Sequence, residues 1–258
     1  MKQKENAILT ALCAFFGMAI VQSLCRSLLT QALGERYTEA HRVVVLGASA
    51  AILLLVIAAI NHQMSVPILE KGVLHTRTGV YPLVCCLVLG LSAYFTLSAG
   101  LSLLPFSEAF LSGYAQAVPL GKGAARWLEL CVLVLLVPVM EEVLFRGVIL
   151  DNLRQAMPIW AAAGMECLLF AWGHGQLLWF LYAFAMGAVL TLLRLKTGSL
   201  RTSIAFHMAF NGANYLQTWL VGAVGKSREA LFIIFIAGLL IGLLSAVLLL
   251  KRYRKKKS

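Results

Sequence analysis

The chain has 258 residues, 60% of them hydrophobic and only 13% charged, with a mean hydropathy of +0.85. A soluble domain is nearer half apolar and a quarter charged, so the composition excludes a chain that solvates itself and describes a polytopic membrane protein. The net charge of +11 does not point to nucleic acid, because it is concentrated where Lys251, Arg252, Arg254, Lys255, Lys256 and Lys257 follow an apolar stretch, as in a juxtamembrane anchor on an anionic leaflet.

In chain order, eight apolar spans are expected, at about 7–29, 43–60, 80–104, 128–150, 159–173, 177–193, 203–221 and 231–250. Most approach the roughly 20 residues that a helix needs to cross the hydrocarbon core. The first follows Lys2 and Lys4 and imitates a signal peptide. No convincing small-residue cleavage site comes after it, and Gln22 and Arg26 suit a helix packed within a bundle, so it is expected to be retained. The fifth and sixth spans are short and divide at His174-Gly175-Gln176. The expected fold is an all-α polytopic membrane protein, a bundle of about eight transmembrane helices. It forms a single integral-membrane domain over 1–258, with a motif region at 126–215 and a basic cytoplasmic tail at 251–258.

Cys13, Cys25, Cys85, Cys86, Cys131 and Cys167 all lie in apolar segments without CxxC spacing. They read as small buried hydrophobes, neither a disulfide framework nor a zinc cluster. Orientation follows from Lys and Arg. With eight spans, one side holds Lys2, Lys4, Lys71, Arg77, Arg154, Arg194, Lys196, Arg201 and the six tail residues. The other holds Arg26, Arg36, Arg42, Lys122, Arg126, Lys226 and Arg228. Positive charge marks the cytoplasmic face, which puts both termini in the cytoplasm, with the plasma membrane as the expected location.

Three polar clusters interrupt the hydrocarbon, and ionisable groups in such surroundings mark function by default. In the fourth span, Glu142 and Arg146 stand at i,i+4 on one helical face and can pair, while Glu141 projects about 100° away. One carboxylate can thus be held as an ion pair and the other left to act on water. Pro138, one turn earlier, removes a backbone hydrogen bond and is placed to kink the helix. The bland alternative is a buried ion pair that only locks two helices together.

The fifth span ends in Phe170-Ala171-Trp172-Gly173-His174, with Glu166 two turns before the histidine on a similar face. A single histidine there is as readily an interfacial side chain satisfied by a backbone carbonyl. In the seventh span, Ser203, Asn211, Asn214 and Thr218 share the face of His207. Such a stripe faces protein or water rather than lipid; hydrogen-bonding glue between helices explains the hydroxyls and amides but does not need the histidine.

EExxxR at Glu141–Arg146, FxxxH at Phe170–His174 and HxxxN at His207–Asn211 occur in that order on three spans. In this the chain resembles the CPBP family of intramembrane proteases, also called the CAAX protease and bacteriocin-processing (Abi) family. The wording Glu-Glu-Val-Leu-Phe-Arg-Gly at 141–147 and Thr-Gly-Ser-Leu at 197–200 is similar too. The resemblance implies an eight-helix metalloendopeptidase acting on a membrane-associated protein or peptide, prenylated in one branch of the family. Glu141 would activate the attacking water, with Glu142 and Arg146 in support. His174 and His207 would bind a divalent metal, zinc first, together with Glu141, or polarise water and substrate. Asn211 would stabilise the oxyanion or complete the ligand set. Two rivals use the same residues: a proton-coupled transporter, against which no paired halves with broken helices are visible, and a non-catalytic immunity protein on the same fold.

Overall fold

The structure, a computed structural model, describes residues 2–63, 68–69, 78–106, 125–224 and 227–254. These residues are 91% helical with no strand, and the fold is that of an all-α polytopic membrane protein, as hydropathy predicts. Of the Lys and Arg residues that set the expected orientation, Lys71, Arg77, Lys122, Lys226, Lys255, Lys256 and Lys257 lie outside the described residues.

The helices are α1 (Lys2–Leu33), α2 (Glu35–Ala40), α3 (Arg42–Gln63), α4 (Val80–Leu103), α5 (126–156), α6 (Ile159–Trp172), α7 (Leu177–Thr197), α8 (Leu200–Val224) and α9 (Arg228–Arg254). Eight coincide with the expected spans. The ninth, α2, is a short polar turn that hydropathy passes over. There Glu39 takes hydrogen bonds from Arg42 Nε and Nη2 at 2.8 and 2.5 Å and pairs with Arg26. The Arg42 guanidinium beside Glu39 holds its carboxyl below the usual range. Arg26 is thus tied to the polar turn after α1, at the end of its span.

Among the described residues, five helices, α1, α3, α4, α7 and α9, are long and apolar enough to cross a membrane, and α6 is apolar but shorter. The described helices gather into two compact units. The first contains α1, α2, α3, α5, α6 and α7 as far as Leu192; the second contains α4, the end of α7 from Leu193, α8 and α9.

In the first unit α1 packs against α3 and the C-terminal half of α5, α3 against the N-terminal half of α5, and α6 against its C-terminal half. Helix α5 is therefore central. All eight residues of its segment Glu142–Ile149 are buried, as befits an element surrounded by others. In the second unit α4 is central, packed on α8 and α9. Gly90 makes the α4–α8 approach possible: a Cβ there would lie 2.3 Å from the Phe206 carbonyl oxygen. Polar links reinforce the contact, with the Tyr94 hydroxyl 2.6 Å from Asn214 Oδ1 and Ser98 Oγ donating to Gln217 Oε1 at 2.9 Å.

Candidate active site

Helix α5 is not a uniform α-helix. It is π-helical over Leu130–Leu136, α-helical over Val137–Glu141, and π-helical again over Glu142–Ile149. The Val137 N–H bonds to the Val132 carbonyl and the Leu150 N–H to the Phe145 carbonyl, each five residues back. Pro138 gives a physical reason for the first wide turn. It has no N–H to offer the Val134 carbonyl, and its ring would clash with that carbonyl in a regular helix. Widened turns of this kind are uncommon and frequent at functional sites. Pro138 thus stands in a short α-helical stretch between two wide-turned segments.

On the second π-segment, Arg146 is wholly buried and surrounded by partners. Its Nη1 donates to Glu142 Oε1 at 3.0 Å, its Nη2 donates to the Gly187 carbonyl at 3.2 Å, and its Nε lies 3.2 Å from Glu166 Oε1. The guanidinium carbon sits 4.2 Å from the centroid of the Phe170 ring, within range for a cation–π contact. Glu142 and Glu166 are as fully buried as the arginine. A charge so placed is tolerable only with partners, and Arg146 has two carboxylates, a carbonyl and an aromatic face.

Glu166, left without a role by its sequence position, is the second carboxylate of this clamp. Its Oε2 accepts a hydrogen bond from Thr191 Oγ1 at 2.5 Å. Gly187 lets the α7 backbone come close enough to serve as acceptor, because a Cβ there would stand 3.2 Å from the Phe170 ring and 3.4 Å from Arg146 Nη2. Glu141, one residue before the pair, is partly exposed where Glu142 is not.

His174 lies in the turn between α6 and α7, where Gly175 has φ of 72°. The division falls where the sequence places it. The histidine's Nδ1 donates to the Phe170 carbonyl at 2.8 Å, so in the neutral imidazole the lone pair would be on Nε2. Its ring stands 4.9 Å from the Phe170 ring and 5.3 Å from that of Trp179. Phe170 therefore meets Arg146 with its ring and His174 with its carbonyl. The first unit brings together Glu141, Glu142, Arg146, Glu166, Phe170 and His174 on α5, α6 and the turn that follows.

His207 and Asn211 belong to α8 in the second unit. His207 is 2% exposed, one turn from Ser203 and one from the half-buried Asn211. Ser203 Oγ is turned back to the Leu200 carbonyl at 3.1 Å. Asn214 acts as interhelical glue to Tyr94, the bland reading for that residue. The side chain of Thr218 lies outside the described residues. Among the described residues, no three His, Cys, Asp or Glu side chains form a group that could hold a metal ion.

Thr191, Gly187 and Trp179 are contributors that sequence reasoning missed. A glycine inside an apolar helix is a weak sign of close approach. A lone threonine or tryptophan there gives no sign at all.

Fold and site together describe a membrane protein with a fully buried segment that carries ionisable side chains. Residues 123–213, about a third of the chain and containing all three motifs, match the family model described as Rce1-like, Type II CAAX prenyl endopeptidase. The match supports assigning the chain to the CPBP/CAAX family of membrane proteases. No curated protein and no solved structure matches the chain.

Proposed function

We propose that the protein is an intramembrane endopeptidase that hydrolyses peptide bonds of a membrane-associated protein or peptide, prenylated C-termini being one member of that class. The observation that carries this reading is the unequal treatment of two adjacent glutamates. Glu142 is closed into a fully buried pair with Arg146, while Glu141 keeps partial access. A purely structural ion pair needs only one of them.

In this reading Glu141 takes a proton from water, and the oxygen left behind bonds to the scissile carbonyl carbon. The carbonyl π electrons move onto oxygen, where the neutral amide of Asn211 donates a hydrogen bond to the new oxyanion. His174 and His207 orient water and substrate. Collapse of the tetrahedral intermediate breaks the C–N bond, and Glu141 returns its proton to the leaving amine. The resemblance adds a divalent metal, zinc first, on Glu141, His174 and His207; bound there it would polarise the carbonyl and acidify water. That ligand set forms no three-residue cluster among the described residues, so each step is assigned to the chain's own groups. The proposed setting is the plasma membrane, with both termini cytoplasmic.

The test is cleavage by purified protein in nanodiscs of a mixed library of prenylated and transmembrane peptides, read by mass spectrometry. Wild type should cut without an ion or proton gradient. Glu141→Gln should lose about a hundredfold or more, the scale of general-base catalysis, and His207→Ala should also fall. Cutting that survives Glu141→Gln would sink the mechanism. Loss on strong chelation would reveal a metalloenzyme; indifference to chelator would mark a hydrolysis driven by glutamate alone.

A further inference from the structure

Glu166 lies outside the three motifs, yet it is wholly buried and 3.2 Å from the guanidinium of Arg146. A second buried carboxylate on one arginine is costly, because a single pair already compensates the cation. Its surroundings are built to hold it. Thr191 on α7 donates to one of its oxygens, and Arg146 faces the other. The segment it braces is the π-helical Glu142–Ile149, a backbone form with poorer intrinsic stability than the α-helix. Side-chain ties to α6 and α7 can supply what that backbone lacks.

The ties also reach the histidine motif. Arg146 lies on the Phe170 ring, and Phe170 accepts the Nδ1 hydrogen bond of His174. We infer that Glu166 is a positioning residue: by anchoring Arg146 it sets the π-helical turn that begins at Glu142 and, with it, the adjacent Glu141. It touches no substrate. Thr191 acts one step further out by aiming the Glu166 carboxylate.

The decisive variant is Glu166→Gln, which keeps the shape and an acceptor for Thr191 but removes the charge. Met165→Ala, at an exposed neighbour on the same helix, serves as the control. Backbone hydrogen–deuterium exchange should accelerate in 141–149 in Glu166→Gln and not in Met165→Ala. In its kinetic arm the inference rests on the endopeptidase reading. There kcat should fall about ten- to a hundredfold, the cost of a misplaced catalytic group, with KM nearly unchanged. Glu166→Asp, which restores the charge on a shorter arm, should recover part of both readouts.

Exchange at wild-type rates in 141–149 would overturn the inference whether or not any peptide is cut. So would exchange that rises equally in α1 and α3, since that describes general loosening. A wild-type protein that cuts nothing, with exchange accelerated locally in Glu166→Gln, would overturn the endopeptidase reading and leave the positioning role standing.

Discussion

Arg146 serves four partners at once, and only a planar guanidinium has the geometry for it. It pairs with Glu142 and Glu166 through different nitrogens, reaches the Gly187 carbonyl with a third, and lays its face on Phe170. A lysine ammonium is a compact point charge without that fork or face. Arg146→Lys is therefore expected to fold with a lowered melting temperature and most of its activity gone. Arg146→Met leaves two buried carboxylates without their cation, which costs about 3–5 kcal/mol by analogy with broken buried pairs. Thermal unfolding in nanodiscs checks both; equal stability of wild type and Arg146→Met would contradict the clamp. The Glu142–Arg146 contact is legible in sequence because i,i+4 neighbours meet on a helix. Glu166 is visible only as a misplaced charge, since its partner sits on another helix. The Gly187 contribution comes from a backbone carbonyl and leaves almost no mark in the side-chain pattern.

At the scale of the element, Pro138 and the wide turns around it decide how Glu141 and Glu142 are presented. A proline kink is legible from one residue; the π-turns are not, because they depend on which carbonyl each N–H selects. Pro138→Ala would restore an N–H able to bond to the Val134 carbonyl and would favour closing Leu130–Leu136 into an α-helix. Closing a wide turn removes its extra residue and rotates the C-terminal part of the helix by about 100°. That part is held by Glu166, Thr191 and Gly187, so the rotation is resisted where the motif lies. The expected variant is more stable to heat but slower in kcat, a trade common where a strained element serves function. Melting curves and single-turnover kinetics read the two effects. A more stable variant with unchanged kcat would show that the wide turns do not serve the chemistry.

Across the whole molecule, hydropathy shows eight apolar stretches, but among the described residues only five helices meet the length and composition of an unaided span. The three that fall short, α5, α6 and α8, are those that carry or end at the motifs. Polar side chains within the hydrocarbon are costly, and these helices spend their apolarity on the site. Helix α6 has 14 residues, about 21 Å at 1.5 Å per residue, against a core of about 30 Å. If α6 lies in the core, at least one of its ends lies within hydrocarbon depth. The division into two units was not legible, because hydropathy reports contact with lipid and not which helices neighbour one another. Eight crossings would put both termini on one side, and the proposed orientation makes that side the cytoplasmic one because Lys and Arg are in excess there. Separate fusions of a fluorescent protein and of alkaline phosphatase to each terminus, expressed in a bacterial host, test this. Both ends should fluoresce and neither phosphatase fusion should be active. Active phosphatase at one terminus alone would mean an odd number of crossings, so that one of α5, α6 or α8 does not traverse the bilayer. Activity at both would invert the orientation and place both termini on the outer face.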